Sequence, residues 1–342
     1  MNDVIGVDVG AGSIKVVSVR KDGKKFFLES LGETRTPKVD WIKEGGKGKA
    51  VARVAQALKS LLSDLKVKQK QAVTCLPEDE VVSRLIRLPP LKDAEIKDAL
   101  KFEAETFVPY PLDKVSIDYE VVDEDDAGRL TIFAIAARNE VVASFIKLFK
   151  MVGLELMALE SPAVAIRRAV THSVKTGTNM VIMDMGEKYS DVVSLNKKKI
   201  VFTRSLSMGG ESLTRAISIN LGLDMASAEE YKKAYGLKES ELEGKIRNAI
   251  LPVYTSMAEE LRKALALFVK ETGEKANLLV LSGGGAILPG LAEELTRLLG
   301  LEVQVVQPFL GVDTSKISVP INLSSEGCRF TLAMGLALRE VK

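Results

Sequence analysis

Cysteine and histidine are nearly absent from this chain. It has two cysteines, Cys75 and Cys328, and a single histidine, His172. Two cysteines are too few for a disulfide framework or a cysteine-rich zinc site, and one histidine leaves few catalytic schemes that use imidazole. Any metal must therefore be held mainly by oxygen atoms, and we interpret these three residues as structural.

An excess of one charge and long apolar runs are also lacking. The 342 residues include 48 Lys and Arg against 46 Asp and Glu, so the net charge of +2 indicates no general attraction to nucleic acid or anionic membranes. The apolar run at 130–137 has the length of a strand and falls short of the ~18 residues of a spanning helix. The N-terminal residues show no basic leader with an apolar stretch, so we expect a cytoplasmic protein.

An internal repeat predicts the architecture. Residues 4–10, VIGVDVG, form an apolar run that ends in Asp-x-Gly and leads into a second strand, a turn and a third strand. Residues 180–186, MVIMDMG, begin the same order again. Solenoid repeats have periods of ~20 to 50 residues, so one repetition at about half the chain length indicates two related lobes. We predict an α/β fold of two lobes with a ligand cleft between them.

The segment between the two copies contains additional material. A proline pair at 89–90, helical spacing near 93–106 and apolar alternation at 115–121 predict an inserted α+β module. The predicted division is a first lobe at 1–80 and 154–177, the insert at 81–153, a second lobe at 178–225 and 276–324, a helical part at 226–275, and a C-terminal helix at 325–342 that returns to the first lobe.

Two glycine-rich segments resemble nucleotide motifs without matching them. Residues 10–15, GAGSIK, approach the dinucleotide fingerprint, but that motif needs a helix directly after the glycines and a small residue where Lys15 stands. Residues 45–50, GGKGKA, lack both the register of a phosphate loop and a preceding strand. We interpret the second segment as a solvated loop.

The repeated Asp-x-Gly turns indicate a polyphosphate site. Glycine lets backbone N–H groups approach phosphate oxygens closely, and Asp8 and Asp184 could hold a hydrated Mg²⁺ beside them. A single Asp-Gly turn could equally be ordinary hairpin chemistry. The matched pair, together with three consecutive glycines at 283–285, favours a nucleotide site.

Three motifs in the expected order resemble the actin/Hsp70/sugar-kinase ATPase superfamily. Residues 8–15 (DVGAGSIK) are similar to its first phosphate motif, 184–190 (DMGEKYS) to its second, and 281–286 (LSGGGA) to its adenosine motif. Residues 160–165 and 333–337 resemble its two connecting helices. This resemblance covers essentially the whole chain and implies a duplicated actin-like (ribonuclease H-like) ATPase fold that binds ATP with Mg²⁺.

Further strings resemble the branch that contains FtsA and the PilM family of type IV pilus assembly proteins. Residues 208–214 (MGGESLT) and 228–236 (AEEYKKAYG) fit the branch, while 88–91 (LPPL) and 103–111 (EAETFVPYP) are similar to the PilM family. That family implies a cytoplasmic protein at the inner face of the inner membrane. It would dock the N-terminal tail of the membrane protein PilN in a groove between first lobe and insert, touch the membrane only through this partner, and bind no nucleic acid; self-association is left open.

The resemblance also assigns roles to individual residues. Asp8 and Asp184 would hold Mg²⁺ through water, and Glu160 matches the acidic position that orients the attacking water, with helix capping as its alternative. Lys15 and Lys232 would face the nucleotide, although lysines at such positions are often solvated. The residues expected to contact the nucleotide are Gly10, Gly12, Ser13, Lys15, Gly186, Ser190, Gly210, Glu229, Lys232, Gly283, Gly284 and Gly285.

Two departures from the family pattern predict slow turnover. Ala11 and Gly12 stand where relatives carry hydroxyls, and Glu187 stands where they carry a small residue, so its charge could repel the terminal phosphate. A filament-forming FtsA-like scaffold is an alternative, but the chain stops at 342 without the amphipathic tail expected of that protein. A sugar kinase is a second alternative, and it would need an aspartate base besides the two assigned to the metal.

Overall fold

The computed structural model describes residues 4–42, 48–174, 177–318 and 321–339. The segment at 45–47, predicted to be a solvated loop with the residues that follow it, lies outside the described residues, as do the last three residues. The described residues form two compact units. Unit 1 comprises those within Met1–Ala165, Val312–Ile317 and Ala333–Lys342, and unit 2 those within Ile166–Gly311 and Ser318–Leu332.

Strands and helices alternate along much of the chain, as expected of an α/β protein. The strands are β1 (Val4–Val9), β2 (Ser13–Asp22), β3 (Lys25–Arg35), β4 (Gln71–Cys75), β5 (Val81–Leu88), β6 (Val115–Glu124), β7 (Leu130–Arg138), β8 (Glu155–Glu160), β9 (Met180–Met185), β10 (Ser190–Asn196), β11 (Lys199–Leu206), β12 (Leu278–Ser282), β13 (Glu302–Val305) and β14 (Val312–Asp313). The α-helices are α1 (Lys49–Asp64), α2 (Asp93–Glu105), α3 (Asn139–Val152), α4 (Pro162–Ser173), α5 (Gly210–Leu221), α6 (Met225–Tyr235), α7 (Lys245–Thr272), α8 (Leu291–Leu299), α9 (Leu323–Glu326) and α10 (Thr331–Ala337).

The main sheet of unit 1 has the strand order β14-β3-β2-β1-β4-β8. Strands β1, β2 and β3 form an antiparallel meander, whereas β4 and β8 run parallel to β1. Every residue of β1 is buried, which is typical of a central strand covered on both faces. Helices α1 and α3 contribute Val54, Leu58, Phe145 and Leu148 to a core shared with β1.

The insert forms a separate three-stranded antiparallel sheet of order β5-β7-β6 within unit 1. Helix α2 packs on this sheet through Ile96 and Leu100, which join Ile86 and Ile132 in one apolar cluster. The apolar positions of α2 recur at the three- and four-residue spacing of a helix face. Most of its outward residues are charged, although Phe102 is also exposed.

Unit 2 repeats the core topology of unit 1. Its sheet has the order β11-β10-β9-β12-β13, with an antiparallel meander β9-β10-β11 and with β12 and β13 parallel to β9. The order third-second-first-fourth-fifth is the same as in β3-β2-β1-β4-β8. The duplication predicted from the Asp-x-Gly repeat is therefore present in the strand topology.

Two close backbone contacts within unit 1 involve β1, the start of α4 and the unit 1 part of α10. A Cβ atom on Gly6 would lie 2.1 Å from the carbonyl oxygen of Ala333, and one on Gly335 would lie 1.9 Å from that of Ala165. Only glycine fits at such distances. Within the described residues, no helix is long and apolar enough to span a membrane.

Candidate functional site

The first Asp-x-Gly turn lies in unit 1 between β1 and β2. The Gly10 N–H donates to the carbonyl of Ser13 over 3.1 Å, and the hydroxyl of Thr36 donates to the Gly10 carbonyl over 2.6 Å. Asp8 is opposite Lys15 in the β1–β2 register, with the ammonium nitrogen 3.4 Å from a carboxylate oxygen. Both side chains are largely buried, at 10% and 14% exposure, so Lys15 does not have the solvated position left open by the sequence.

The second turn, between β9 and β10 in unit 2, has the same local geometry. The Gly186 N–H donates to the Tyr189 carbonyl over 2.9 Å, three residues along as in the first turn. Asp184 is opposite Asp191 in register, as Asp8 is opposite Lys15. Each residue of the second turn therefore lies the same number of positions after its counterpart in the first turn.

This correspondence separates two serines that the motifs group together. Ser13 corresponds to Tyr189, so Ser190 takes the place of Ile14 at the start of the second strand. Ser190 is fully buried, and its hydroxyl donates to the Met208 carbonyl over 2.6 Å. Ser13 is partly exposed next to the turn and is the better placed of the two hydroxyls for a ligand.

The loop from β9 is fixed to the start of α5 by backbone hydrogen bonds. The N–H groups of Gly210 and Glu211 donate to the carbonyls of Gly186 and Glu187 over 2.9 and 2.8 Å. A Cβ atom on Gly209 would lie 2.5 Å from the Glu187 carbonyl oxygen. The glycine pair thus lets the α5 N-terminus approach the turn, where helix N–H groups and the helix dipole favour anions.

The three glycines after β12 have different surroundings. Gly283 has φ +80°, and a Cβ atom there would lie 2.6 Å from the carbonyl oxygen of Met185; on Gly285 it would lie 2.6 Å from the Met185 Cβ. Gly284 is exposed and has no atom within 4 Å of the same position. Gly283 and Gly285 therefore serve packing, and Gly284 is the one open to a ligand.

Lys232 lies in a buried polar network at the start of α5. Its ammonium group donates to the Gly210 carbonyl over 3.0 Å, to the Thr214 hydroxyl over 2.8 Å and to Glu229 over 2.6 Å. The Thr214 hydroxyl also donates to Glu229. Lys232 is 8% exposed, so the alternative of a solvated lysine is wrong for this structure.

The network shifts the ionisation of both charged groups. Burial lowers the pKa of Lys232 below its ordinary 10.5, although the hydrogen bond that Lys232 donates to Glu229 opposes this. Burial acts to raise the pKa of Glu229, but the hydrogen bonds from Lys232 and Thr214 outweigh it, so its pKa lies below 4.5. Glu229 therefore stays charged near neutral pH and holds the Lys232 side chain beside Gly210.

Glu160 ends β8 in unit 1 with its side chain almost fully buried. A guanidinium nitrogen of Arg339 donates to its carboxylate. The neighbouring Ser161 hydroxyl accepts a hydrogen bond from the Ala163 N–H in the first turn of α4, over 3.2 Å. The capping contact to α4 thus comes from Ser161, and Glu160 holds the segment after α10.

The two motif aspartates have different partners, each within its own unit. Asp8 is paired with Lys15, and Asp184 accepts a hydrogen bond from the Ser282 hydroxyl over 2.6 Å. Over the described ranges, no group of three or more acidic, cysteine or histidine side chains could enclose an ion. Mg²⁺ keeps several waters and usually takes only one or two protein carboxylates, so a single carboxylate in each turn is chemically compatible with it.

Sequence reasoning missed several polar residues that support these loops. Four of them contact a predicted site residue through the hydrogen bonds given above: Thr36, Thr214, Ser282 and Arg339. Only Thr214 carried a local signal, because it lies four residues after Gly210 on one helix face. The other contacts join distant parts of the chain.

The chain matches known proteins over its length. The family model described as "Type IV pilus assembly protein PilM" matches residues 6–341. Among curated relatives, the cell division protein FtsA of Streptococcus pneumoniae is 28% identical over 180 residues, which are 47% of this chain and 39% of that protein. FtsA of Enterococcus hirae is 21% identical over 344 residues, covering 89% of this chain and 78% of the relative. The chain thus spans well under half of the pneumococcal protein.

Solved structures agree with the family match. A chain of the PilM-PilN type IV pilus biogenesis complex is 28% identical and covers 98% of both chains with a TM-score of 0.87. MreB 5 of Spiroplasma citri bound to AMPPNP is 14% identical and covers 97% of this chain and 94% of that one, with a TM-score of 0.53. These similarities confirm the predicted actin-like ATPase fold. Because the family model matches nearly every residue, the chain belongs to the type IV pilus assembly protein PilM family.

Proposed function

We propose that this protein is an ATP-binding component of type IV pilus assembly that docks the N-terminal tail of the inner-membrane protein PilN. The family match over residues 6–341 carries the proposal. Similarity to a chain of the PilM-PilN complex supports PilN as the partner. PilN would bring the protein to the inner face of the inner membrane.

The loop geometry supports nucleotide binding. Gly10, Gly12 and Ser13 of unit 1, and Gly186 of unit 2, would offer N–H and hydroxyl groups to phosphate oxygens. Asp8 and Asp184 would hold Mg²⁺ through water, which would neutralise part of the phosphate charge. The remaining nucleotide contacts would come from Gly210, Glu229, Lys232 and Gly284, with Gly283 and Gly285 shaping the loop.

Several features support slow ATP turnover. Ala11 and Glu187 are exposed in the two turns, where the first offers no hydroxyl and the second adds negative charge. Glu160 is held by Arg339, so orienting a water would require that ion pair to loosen. ATP would then act mainly as a state signal that the protein passes to PilN.

Calorimetric titration with a synthetic PilN tail peptide tests the proposal. We expect saturable one-to-one binding to the Mg-ATP-loaded protein, and weaker binding to Asp184→Ala if nucleotide and peptide sites are coupled. Asp126→Ala, an exposed aspartate in an insert turn, is the matched control and should bind like the parent chain. Absence of peptide binding with and without ATP would overturn the partner, whereas absence of ATP binding in a separate titration would overturn the nucleotide role.

A filament-forming scaffold is the second candidate. The 21% identity to Enterococcus hirae FtsA over 344 residues favours it. Sedimentation with and without Mg-ATP separates the two, because a scaffold of this kind would form nucleotide-dependent polymers. Pelleting by the parent chain that Asp184→Ala abolishes would favour the scaffold.

A further inference from the structure

A groove of about 460 Å³ lies in the insert between α2 and β6. Lys97, Leu100 and Lys101 form its helix wall, and the strand wall includes Ile117 and Tyr119. All of these residues belong to unit 1, and the groove is separate from the Asp-x-Gly turns. None of the sequence motifs assigned to nucleotide binding contributes to it.

The groove runs along the edge of β6 rather than over one face of the sheet. Side chains of successive strand residues point to opposite faces, yet Ile117, Asp118 and Tyr119 all line the groove. Contact with all three residues brings the groove against the backbone of this edge strand. Strand β6 ends the order β5-β7-β6 and pairs with β7 alone among the described strands.

Backbone polar groups of β6 face this edge. The Tyr119 N–H donates to the Asp118 carboxylate over 2.8 Å, so it is directed away from β7. In an antiparallel pair, alternate residues direct both N–H and C=O toward the partner strand or away from it. Ile117 and Tyr119 have the same parity in the β6–β7 register, so both present outward groups.

The residues on the floor and rim of the groove indicate what kind of partner it would bind. Leu100 is buried, and Ile117 and Tyr119 are half-buried, so the floor is apolar. Lys97 and Lys101 stand four residues apart on the exposed side of α2 and add positive charge to the rim. Asp98 is 3.7 Å from Lys101, but both side chains are more than 70% exposed, so this pair is weak and leaves the charge available.

We propose that this groove binds an extended segment of a partner polypeptide as a fourth strand beside β6. The segment would exchange backbone hydrogen bonds with Ile117 and Tyr119 and place alternate apolar side chains on the floor. An acidic residue of the segment would face Lys97 and Lys101. The Asp118 carboxylate covers the Tyr119 N–H in the free protein, and a carbonyl of the incoming strand would replace it.

A displayed library of peptides of about twelve residues, selected against the full chain, is the probe. We expect enrichment of alternating apolar sequences with one Glu or Asp. Lys97→Glu/Lys101→Glu should weaken the enriched peptide about tenfold or more, because both rim charges reverse. Lys147→Glu/Lys150→Glu, on the exposed side of α3, is the matched control and should leave the affinity unchanged.

Amide hydrogen exchange identifies strand addition directly. The bound peptide should slow exchange at Ile117 and Tyr119, because their N–H groups would join a β-sheet hydrogen-bond ladder. The proposal is wrong if no alternating peptide is enriched, if exchange along β6 is unchanged by a bound peptide, or if both charge-reversal pairs weaken binding equally. The readout needs neither ATP nor PilN, so its failure is distinct from failure of the proposed function.

Discussion

Three consecutive glycines at 283–285 meet three different surroundings. Gly283 combines a positive φ with a close approach to the Met185 carbonyl, Gly285 approaches the Met185 side chain, and Gly284 faces open space. A side chain at Gly283 or at Gly285 would displace the end of β9. A side chain at Gly284 would meet only a bound ligand.

We expect Gly283→Ala and Gly284→Ala to separate folding from binding. Gly283→Ala should lower the free energy of unfolding by about 2 kcal/mol or more, because it adds both backbone strain and overlap. Gly284→Ala should leave the free energy of unfolding within about 0.5 kcal/mol of the parent chain and weaken ATP binding. Urea unfolding and nucleotide titration of both variants check this, and equal ATP affinity in Gly284→Ala and the parent chain would contradict it.

Lys232 and Glu229, which are proposed to contact the nucleotide, also stabilise the protein without a ligand. Their ion pair, joined by Thr214, satisfies a buried ammonium group beside Gly210. Removing the carboxylate would leave that charge without its main partner. Because Glu229 is about one third exposed, solvent would offset part of the loss.

We expect Glu229→Gln to cost about 1 to 2 kcal/mol of the free energy of unfolding near neutral pH. The folded-state pKa of Glu229 lies below 4.5, so its contribution is present above that pH and is lost as the pH falls through the folded pKa. The stability gap between parent and variant should therefore narrow in acid. Urea unfolding at about pH 6 and about pH 3.5 measures the gap, and a constant gap would argue against the charge pair.

At the scale of elements, β1, α4 and α10 meet where glycine permits the backbones to touch. Gly6 faces α10, and Gly335 of α10 faces Ala165 of α4. The same α10 leads to Arg339, which holds Glu160 at the end of β8. A shift of α10 would thus reach both the central strand and the residue proposed to orient water.

We expect Gly335→Ala to lower the free energy of unfolding by about 3 kcal/mol or more, since its Cβ atom would overlap the Ala165 carbonyl. Gly284→Ala has open space and serves as the matched control for glycine replacement. Thermal unfolding of the two variants gives the comparison. Similar midpoint temperatures of unfolding for the two variants would contradict this, because α10 could then move away from α4 with little loss of stability.

Several element boundaries follow from local sequence pattern, and others do not. The short apolar run that stops before Pro77 forms β4, Gln71–Cys75. The single helix expected at 325–342 is instead divided, within the described residues, into α9, a tight 3-10 turn at Gly327–Phe330, and α10. The Cys328 carbonyl accepts a hydrogen bond from the Gly283 N–H, and that distant partner has no signature in the local sequence.

For the whole molecule, the duplicated strand order was predictable because each meander carries its own apolar pattern and its own Asp-x-Gly turn. The offset in residue number that relates Asp184 to Asp8 also relates the hydrogen bonds of the two turns. Contacts between distant segments were not predictable in this way. The buried Lys232 network, the Arg339 ion pair and the β14–β3 pairing depend on tertiary packing.

We expect a chain that ends at Leu332 to keep unit 2 folded and to destabilise unit 1. Unit 2 retains all of its described segments, whereas unit 1 loses its last segment, including most of α10 and Arg339. Hydrogen exchange should accelerate at β1 amides and stay near the parent values at β9 amides. Matching protection in β1 of the parent and shortened chains would contradict this expectation.

The discontinuity of unit 1 also constrains how the protein is made. Its central strand is synthesised before unit 2, but most of the helix that packs against Gly6 is synthesised after unit 2. During translation, part of the apolar surface of unit 1 therefore stays uncovered until its last segment is made, whereas unit 2 can already fold. Chaperones that shield nascent chains are expected to act on this interval, and slowed translation would lengthen it.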